Sequence, residues 1–224
     1  MSLIRLINPN TSERTTAMMV AIARDALDSA YEVAGVTAAV GVTMITNEAE
    51  LNASAAEVLR MGVDDPDGVA GVIVSAFGDP GKAELQDLLD IPVVGICEAS
   101  LQEAAQGGRR FGIATVTPGL VEVIASKVRQ LGLTAQFTGT RLTDGDPVAL
   151  TGEPAQLLLS LEKAVETSLK SDHAEAVIIG GGPLGQAAIG LSERLSAPII
   201  APIPAAARQL VRRLTDRKGR NKLN

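Results

Sequence analysis

The stretch Val72-Ile73-Val74-Ser75-Ala76-Phe77-Gly78-Asp79-Pro80-Gly81 constrains this chain more than any other. A short β-branched run ends abruptly in small residues, glycine and proline. A buried parallel strand reads this way where it opens into a loop at its carboxyl end. A second copy follows as Val177-Ile178-Ile179-Gly180-Gly181-Gly182-Pro183-Leu184-Gly185, about 105 positions later. Pro92-Val93-Val94-Gly95 and Pro198-Ile199-Ile200-Ala201 repeat at nearly the same offset. So do Leu6-Ile7-Asn8-Pro9-Asn10-Thr11 and Ile113-Ala114-Thr115-Val116-Thr117-Pro118. Three segments agree in order and spacing. They predict a duplicated α/β unit, its two halves facing each other across a cleft. In open α/β sheets ligands bind outside the carboxyl ends of the strands, so the two openings are expected to form one site.

The rest of the chain alternates strand and helix patterns. Strands are expected over 3–7, 36–42, 69–76, 91–96, 110–115, 135–140, 176–180 and 198–201. Helices are expected from Thr11 or Ser12 to about 29, then over 47–61, 83–89, 98–106, 118–131, 155–171, 186–195 and 205–214. Residues 62–68 read as a polar turn and 144–154 as a loop. Alternation of this kind implies a parallel sheet. The expected division is 1–97 with the last helix, 205–216, as one half, 98–204 as the other, and 217–224 as a basic tail.

Composition narrows the function classes. Hydrophobic residues are 46% and aromatic residues 2%, so Ala, Val, Ile and Leu must fill a real core. The net charge is −6, which argues against a nucleic-acid partner. The exception is a basic run from Arg208 through Arg212, Arg213, Arg217, Lys218 and Arg220 to Lys222, read as a solvated last helix with a basic end. One cysteine, Cys97, allows no disulfide within the chain. No apolar run is long enough to cross a membrane, and the amino terminus enters a strand-like run directly, so no signal peptide is expected and a cytoplasmic protein is the default.

Asn-Pro-Asn-Thr at 8–11, Phe-Gly-Asp-Pro-Gly at 77–81 and Pro-Val-Val-Gly-Ile at 92–96 resemble the aspartate/glutamate/hydantoin racemase superfamily, the hydantoin racemase branch most closely. The resemblance covers nearly the whole chain. It implies two similar α/β halves with pseudo-two-fold symmetry, a ligand between them, a homo-oligomer and no cofactor. It also implies a small-molecule ligand, a hydantoin, amino acid or carboxylate, that undergoes proton transfer at the carbon next to a carbonyl. In such a family two cysteines work from opposite faces of that carbon, one as base and one as acid. Their positions fall here on Ala76 and Gly181, neither of which can carry a proton. Three readings stand open: altered or lost chemistry, a substitute group (Ser75 beside the first position, or Cys97), or a cleft that only binds. With Cys97 as the sole proton donor, decarboxylation of a malonate-like acid belongs to the second.

The remaining candidates are weighed on their chemistry. A serine hydroxyl needs an activating base, and the one histidine, His173, precedes a strand at its amino end. No histidine–cysteine spacing suggests a metal site. Asn8, Asn10 and Thr11 serve turn and cap chemistry, and the resemblance adds ligand contact; Thr115 and Thr117 hold the matching places in the second half. Phe77, Gly78, Gly182 and Pro183 complete the expected ligand contacts. The glycine run at 180–182 lacks the spacing of a dinucleotide fingerprint and suits a nest of backbone N–H groups for a carbonyl or carboxylate.

Overall fold

A computed structural model of the chain describes residues 1–64 and 68–221. The middle of the polar turn expected over 62–68, and Lys222 of the basic run, lie outside the described residues.

The first half runs β1 (Ser2–Asn8), α1 (Glu13–Asp25), β2 (Tyr31–Thr37), α2 (Glu48–Val63), β3 (Val69–Val74), α3 (Lys82–Leu88) and β4 (Val93–Gly95). Then α4 (Ile96–Ala104) leads to the second: β5 (Phe111–Thr115), α5 (Val121–Gln130), β6 (Phe137–Leu142), α6 (Pro147–Gly152), α7 (Pro154–Lys170), β7 (Ala176–Ile179), α8 (Gly185–Arg194) and β8 (Ile199–Ile200). The last helix, α9, spans Pro202–Asn221. Each half carries a four-stranded parallel sheet. The strand orders, β2-β1-β3-β4 and β6-β5-β7-β8, are the same pattern twice. The duplicated α/β architecture expected from the repeats is therefore the architecture observed.

Period-two alternation sorts the strand residues between layers. Ile4, Leu6, Ile73, Ile113 and Ile178 enter one central core shared by both halves. Their neighbours turn the other way. Ile7, Val72 and Val74 meet α2 and α3 through Val58, Met61 and Leu85. Ala114, Val177 and Ile179 meet α7 through Leu161 and Val165. The last helix returns across the molecule to lie against β3, β4, α4 and α1. It is held there by Arg208 on Glu103 and by Arg213 on Val93 O and Glu98. Among the described residues no helix is long and apolar enough to cross a membrane.

Several boundaries differ from expectation, one of them with consequences for function. The second strand lies at Tyr31–Thr37, paired residue for residue with Ser2–Asn8, and not at 36–42. An edge strand with one solvated face has a weaker apolar run than the loop that follows it. Residues 38–46 are thereby free to form a loop that carries Met44 and Ile45 toward the strand tips. The sixth strand is Phe137–Leu142, two residues later than expected. Within the expected loop 144–154 lies a short helix, Pro147–Gly152, capped by Asp146 on Ala149 N. The last helix continues past 214 to Asn221.

Asn47 caps α2: its Oδ1 accepts from Glu50 N at 3.0 Å, while the Glu50 carboxylate reaches back to Thr46 N at 2.8 Å. Replacing Asn47 with alanine is expected to lower stability by about 1 kcal/mol. The check is a shift in urea midpoint without a change in slope.

Candidate functional site

The carboxyl ends of β1, β3, β5 and β7 meet between the halves. Their approach is close enough to demand glycine. A Cβ on Gly182 would lie 2.8 Å from Ser75 O and 2.9 Å from Met19 Sδ. One on Gly180 would lie 3.2 Å from the Phe77 ring. The two tips expected to share a pocket do so: Ala76 and Gly181 both line one cavity, with Ser75, Phe77, Gly182 and Pro183 beside them. It is a small cavity, about 40 Å³.

The polar groups on its wall come in related pairs. In the loop after β1, the fully buried Asn8 amide donates to Asn10 Oδ1 at 2.8 Å and to Thr16 Oγ1 at 2.9 Å, while Asn8 Oδ1 accepts from Asn10 N. Asn10 Oδ1 also accepts from Ser12 N at 2.9 Å. Both acceptor sites of Asn10 are used. Its NH2 group has no acceptor among the described residues, and Asn10, 5% exposed, lines the cavity. In the matching loop after β5, Thr115 Oγ1 donates to Gly180 O at 2.6 Å. Its proton is thus committed, and Thr117 Oγ1, 3.2 Å away, must donate to it. Thr117 lines the cavity, and its oxygen accepts from no donor among the described residues. Asn8 and Thr115 are the supports; Asn10 and Thr117 are the lining residues.

Backbone N–H groups form the second set. Those of Ala76, Phe77, Gly181 and Gly182 have no protein acceptor among the described residues. One pair comes from each half, just past β3 and just past β7.

What the wall lacks is equally informative. Among the described residues that form it, none carries a charge or a titratable side chain. Apolar groups fill the rest, notably Leu51, Leu120, Ile124 and the loop residues Met44 and Ile45. Ser75 lines the cavity, but its hydroxyl donates to Ile7 O at 2.6 Å and no histidine stands near to activate it. His173 lies in the turn before β7, at the amino end of that strand. Thr11 and Gly78 do not reach the wall: Thr11 N binds Val42 O, and Gly78 packs beneath Leu51. Cys97 also lies outside the wall, fully buried at the start of α4; burial and then the nearby Asp79 push its thiol well above the usual range. No cluster of three or more His, Cys, Asp or Glu with metal-holding geometry occurs among the described residues.

Asp79 fastens the site from behind. Its two carboxyl oxygens accept from Cys97 N at 2.9 Å and Glu98 N at 2.8 Å. The loop after β3 is thereby tied to the first turn of α4. Burial pushes this carboxyl up to about 6, against the lowering effect of those two N–H groups and of Lys127. Gly95 leaves room for it, since a Cβ there would fall 2.1 Å from Asp79 Cγ.

Sequence reasoning missed Met44, Ile45, Leu51, Leu120 and Ile124 as wall residues. Their signal was only apolar character, which core residues share.

Several known proteins are related to this chain in sequence or in fold. The chain is 26% identical to a hydantoin racemase of Paenarthrobacter aurescens, over 92% of this chain and 88% of that one. It is 28% identical to a hydantoin racemase of Rhizobium meliloti, over 92% and 86%. The solved structure of an allantoin racemase from Klebsiella pneumoniae superposes with a TM-score of 0.89 at 27% identity, covering 95% of this chain and 87% of that one. Residues 4–210, nearly the whole duplicated unit, match the Asp/Glu/hydantoin racemase family, and the chain belongs to that family.

Proposed function

We propose that the cavity binds a small cyclic carbonyl compound of the hydantoin or allantoin kind, and that this chain holds the ring without racemising it by the two-thiol route. The observation that carries this is the wall itself: an N–H pair from each half, with Asn10 and Thr117 in matching places and no charge between them. A ring whose carbonyls flank a central N–H is itself nearly two-fold symmetric. Its oxygens suit unpartnered N–H groups, and its own N–H suits the Thr117 acceptor. A neutral ligand also needs no buried counter-charge. The relatives named as hydantoin and allantoin racemases point to the same class of ring. Ala76 and Gly181 stand where a base and an acid would flank the ring, and neither has a proton to move. Ser75 is read as a hydrogen-bonding group, since its proton is already committed.

The test is a thermal shift paired with solvent exchange. Saturating hydantoin or allantoin, at about a hundred times its dissociation constant, adds about 2.7 kcal/mol. For a chain of this size that raises Tm by roughly 5–10 °C. Deuterium from solvent at the ring stereocentre is expected to appear no faster than without protein. Enzyme-rate exchange by the wild type would overturn the non-racemising part. Stabilisation by dicarboxylates or amino acids but by no cyclic amide would overturn the ligand class.

A further inference from the structure

The inner cavity opens outward past Met44 and Pro183, which also line a larger cleft of about 630 Å³. Its floor comes from the first turns of α1, and its sides from α6, α7 and α8. The chemistry changes across that boundary. The inner wall is uncharged; the outer cleft has one charged lining side chain among the described residues, Arg14. In a chain of net charge −6, most arginines are engaged: Arg60, Arg141, Arg194, Arg208 and Arg213 with carboxylates, and Arg24 with a backbone carbonyl. Among the described residues Arg14 has no ion pair or hydrogen bond, and neither has the side chain of Gln186, which lines the same cleft. Leu157, Leu158 and Ala187 supply apolar surface in the same cleft, beside the hydroxyl-bearing Ser12, Thr15, Thr43 and Thr151. The lip is set by Met44, whose sulfur lies 3.7 Å from Thr151 Oγ1, a hydroxyl that donates to Val148 O at 2.9 Å.

We infer that the ligand is bipartite: its ring occupies the inner cavity and an aliphatic arm passes Met44 and Pro183 to place a carboxylate on Arg14 and Gln186. This rests on the proposed ring-binding reading and adds the substituent class. A guanidinium and an amide, both able to donate, line one cleft with leucine surface beside them, which suits an alkyl chain ending in a carboxylate. Arg14 is exposed, so the gain is moderate and salt-sensitive.

The experiment measures dissociation constants by calorimetry for three ligands: 5-methylhydantoin, hydantoin-5-propionate, and the primary amide of the latter. Wild type is expected to favour the propionate over its amide by about fivefold at low salt, the preference shrinking at 0.5 M salt. Arg14→Gln should bring propionate and amide to equal affinity while leaving 5-methylhydantoin unchanged. Arg14→Lys should keep part of the preference. If 5-methylhydantoin binds but the propionate shows no advantage over its amide, or keeps its advantage in Arg14→Gln, the arm assignment is wrong and the ring reading stands. If none of the three binds, both fall.

Discussion

Ala76→Cys combined with Gly181→Cys is expected to accelerate proton exchange and racemisation of a bound hydantoin by roughly 10²–10⁴-fold over the wild type. Both positions line the same cavity, one past β3 and one past β7, so the new thiols would approach the ring from the two halves of the molecule. One thiolate takes the proton from the carbon next to the carbonyl. The free N–H groups hold the charge that develops on the carbonyl oxygen. The other thiol returns a proton to the far face. Because no cation lines the wall, the thiols are expected to titrate at or above their ordinary value near 8.5, and the rate to climb as pH rises toward it. The second position has a local cost. Gly181 has φ 157°, a backbone conformation that residues with a Cβ rarely adopt, so a cysteine there is strained, and its Cβ would also lie 3.1 Å from Leu184 Cγ. Ala76→Cys alone supplies one face only and should exchange protons without efficient inversion. Circular dichroism decay of an L-5-substituted hydantoin and deuterium incorporation read the two steps separately. A double variant that folds and binds the ring yet exchanges nothing would remove the assignment of these two positions.

The second large effect is a pH-dependent loss of stability centred on Asp79. Burial raises its folded-state carboxyl from 3.8 to about 6. In the unfolded chain it titrates near the ordinary value. Between roughly pH 4 and pH 6 the unfolded state has therefore released a proton that the native state keeps, and stability falls as pH rises through that window. A shift of this size corresponds to about 3 kcal/mol. Depressed carboxylates act in the opposite sense; Glu57, held down to about 2 chiefly by its hydrogen bonds from Arg60, is one. Their contributions cancel when the wild type is compared with Asp79→Asn. The expected result is that the stability of the wild type minus that of Asp79→Asn is highest near pH 4 and falls by about 3 kcal/mol by pH 7. The groups that set the shift are near: Cys97 and Glu98 through their N–H groups, Lys127 as a positive charge and Glu98 as a negative one. Urea unfolding at half-unit pH steps reads the difference directly. Parallel stability profiles for the two proteins would show that Asp79 ionises in the folded state as it does in the unfolded one.

Much of the architecture was legible before any coordinates. β-branched runs ending in glycine and proline marked β3 and β7 because a buried parallel strand must be apolar on both faces and its exit must turn sharply. The edge strands were less visible. Tyr31–Thr37 pairs with the whole of β1, yet it alternates too weakly to outscore the apolar loop behind it. The site was legible at its glycine-rich tips and at Asn10 and Thr117, since strand order places those tips at one end of the sheet. Thr11 and Gly78 carried the same motif signal as their neighbours, and only their local backbone turned them away from the wall.

Local pattern alone settled the alternation of strands and helices, the duplication, and the want of thiols at two matching strand tips. These follow from residue identity and from periodicities of two and about 3.6, which act over a few residues. Packing decided what lies between the tips. A single core spans both halves, so the tips approach until Gly182 meets Ser75 O, and Met44 and Ile45 come in from a loop some thirty residues upstream of β3's end. Such contacts depend on which surfaces bury one another across distant stretches of chain, and no short-range pattern encodes that.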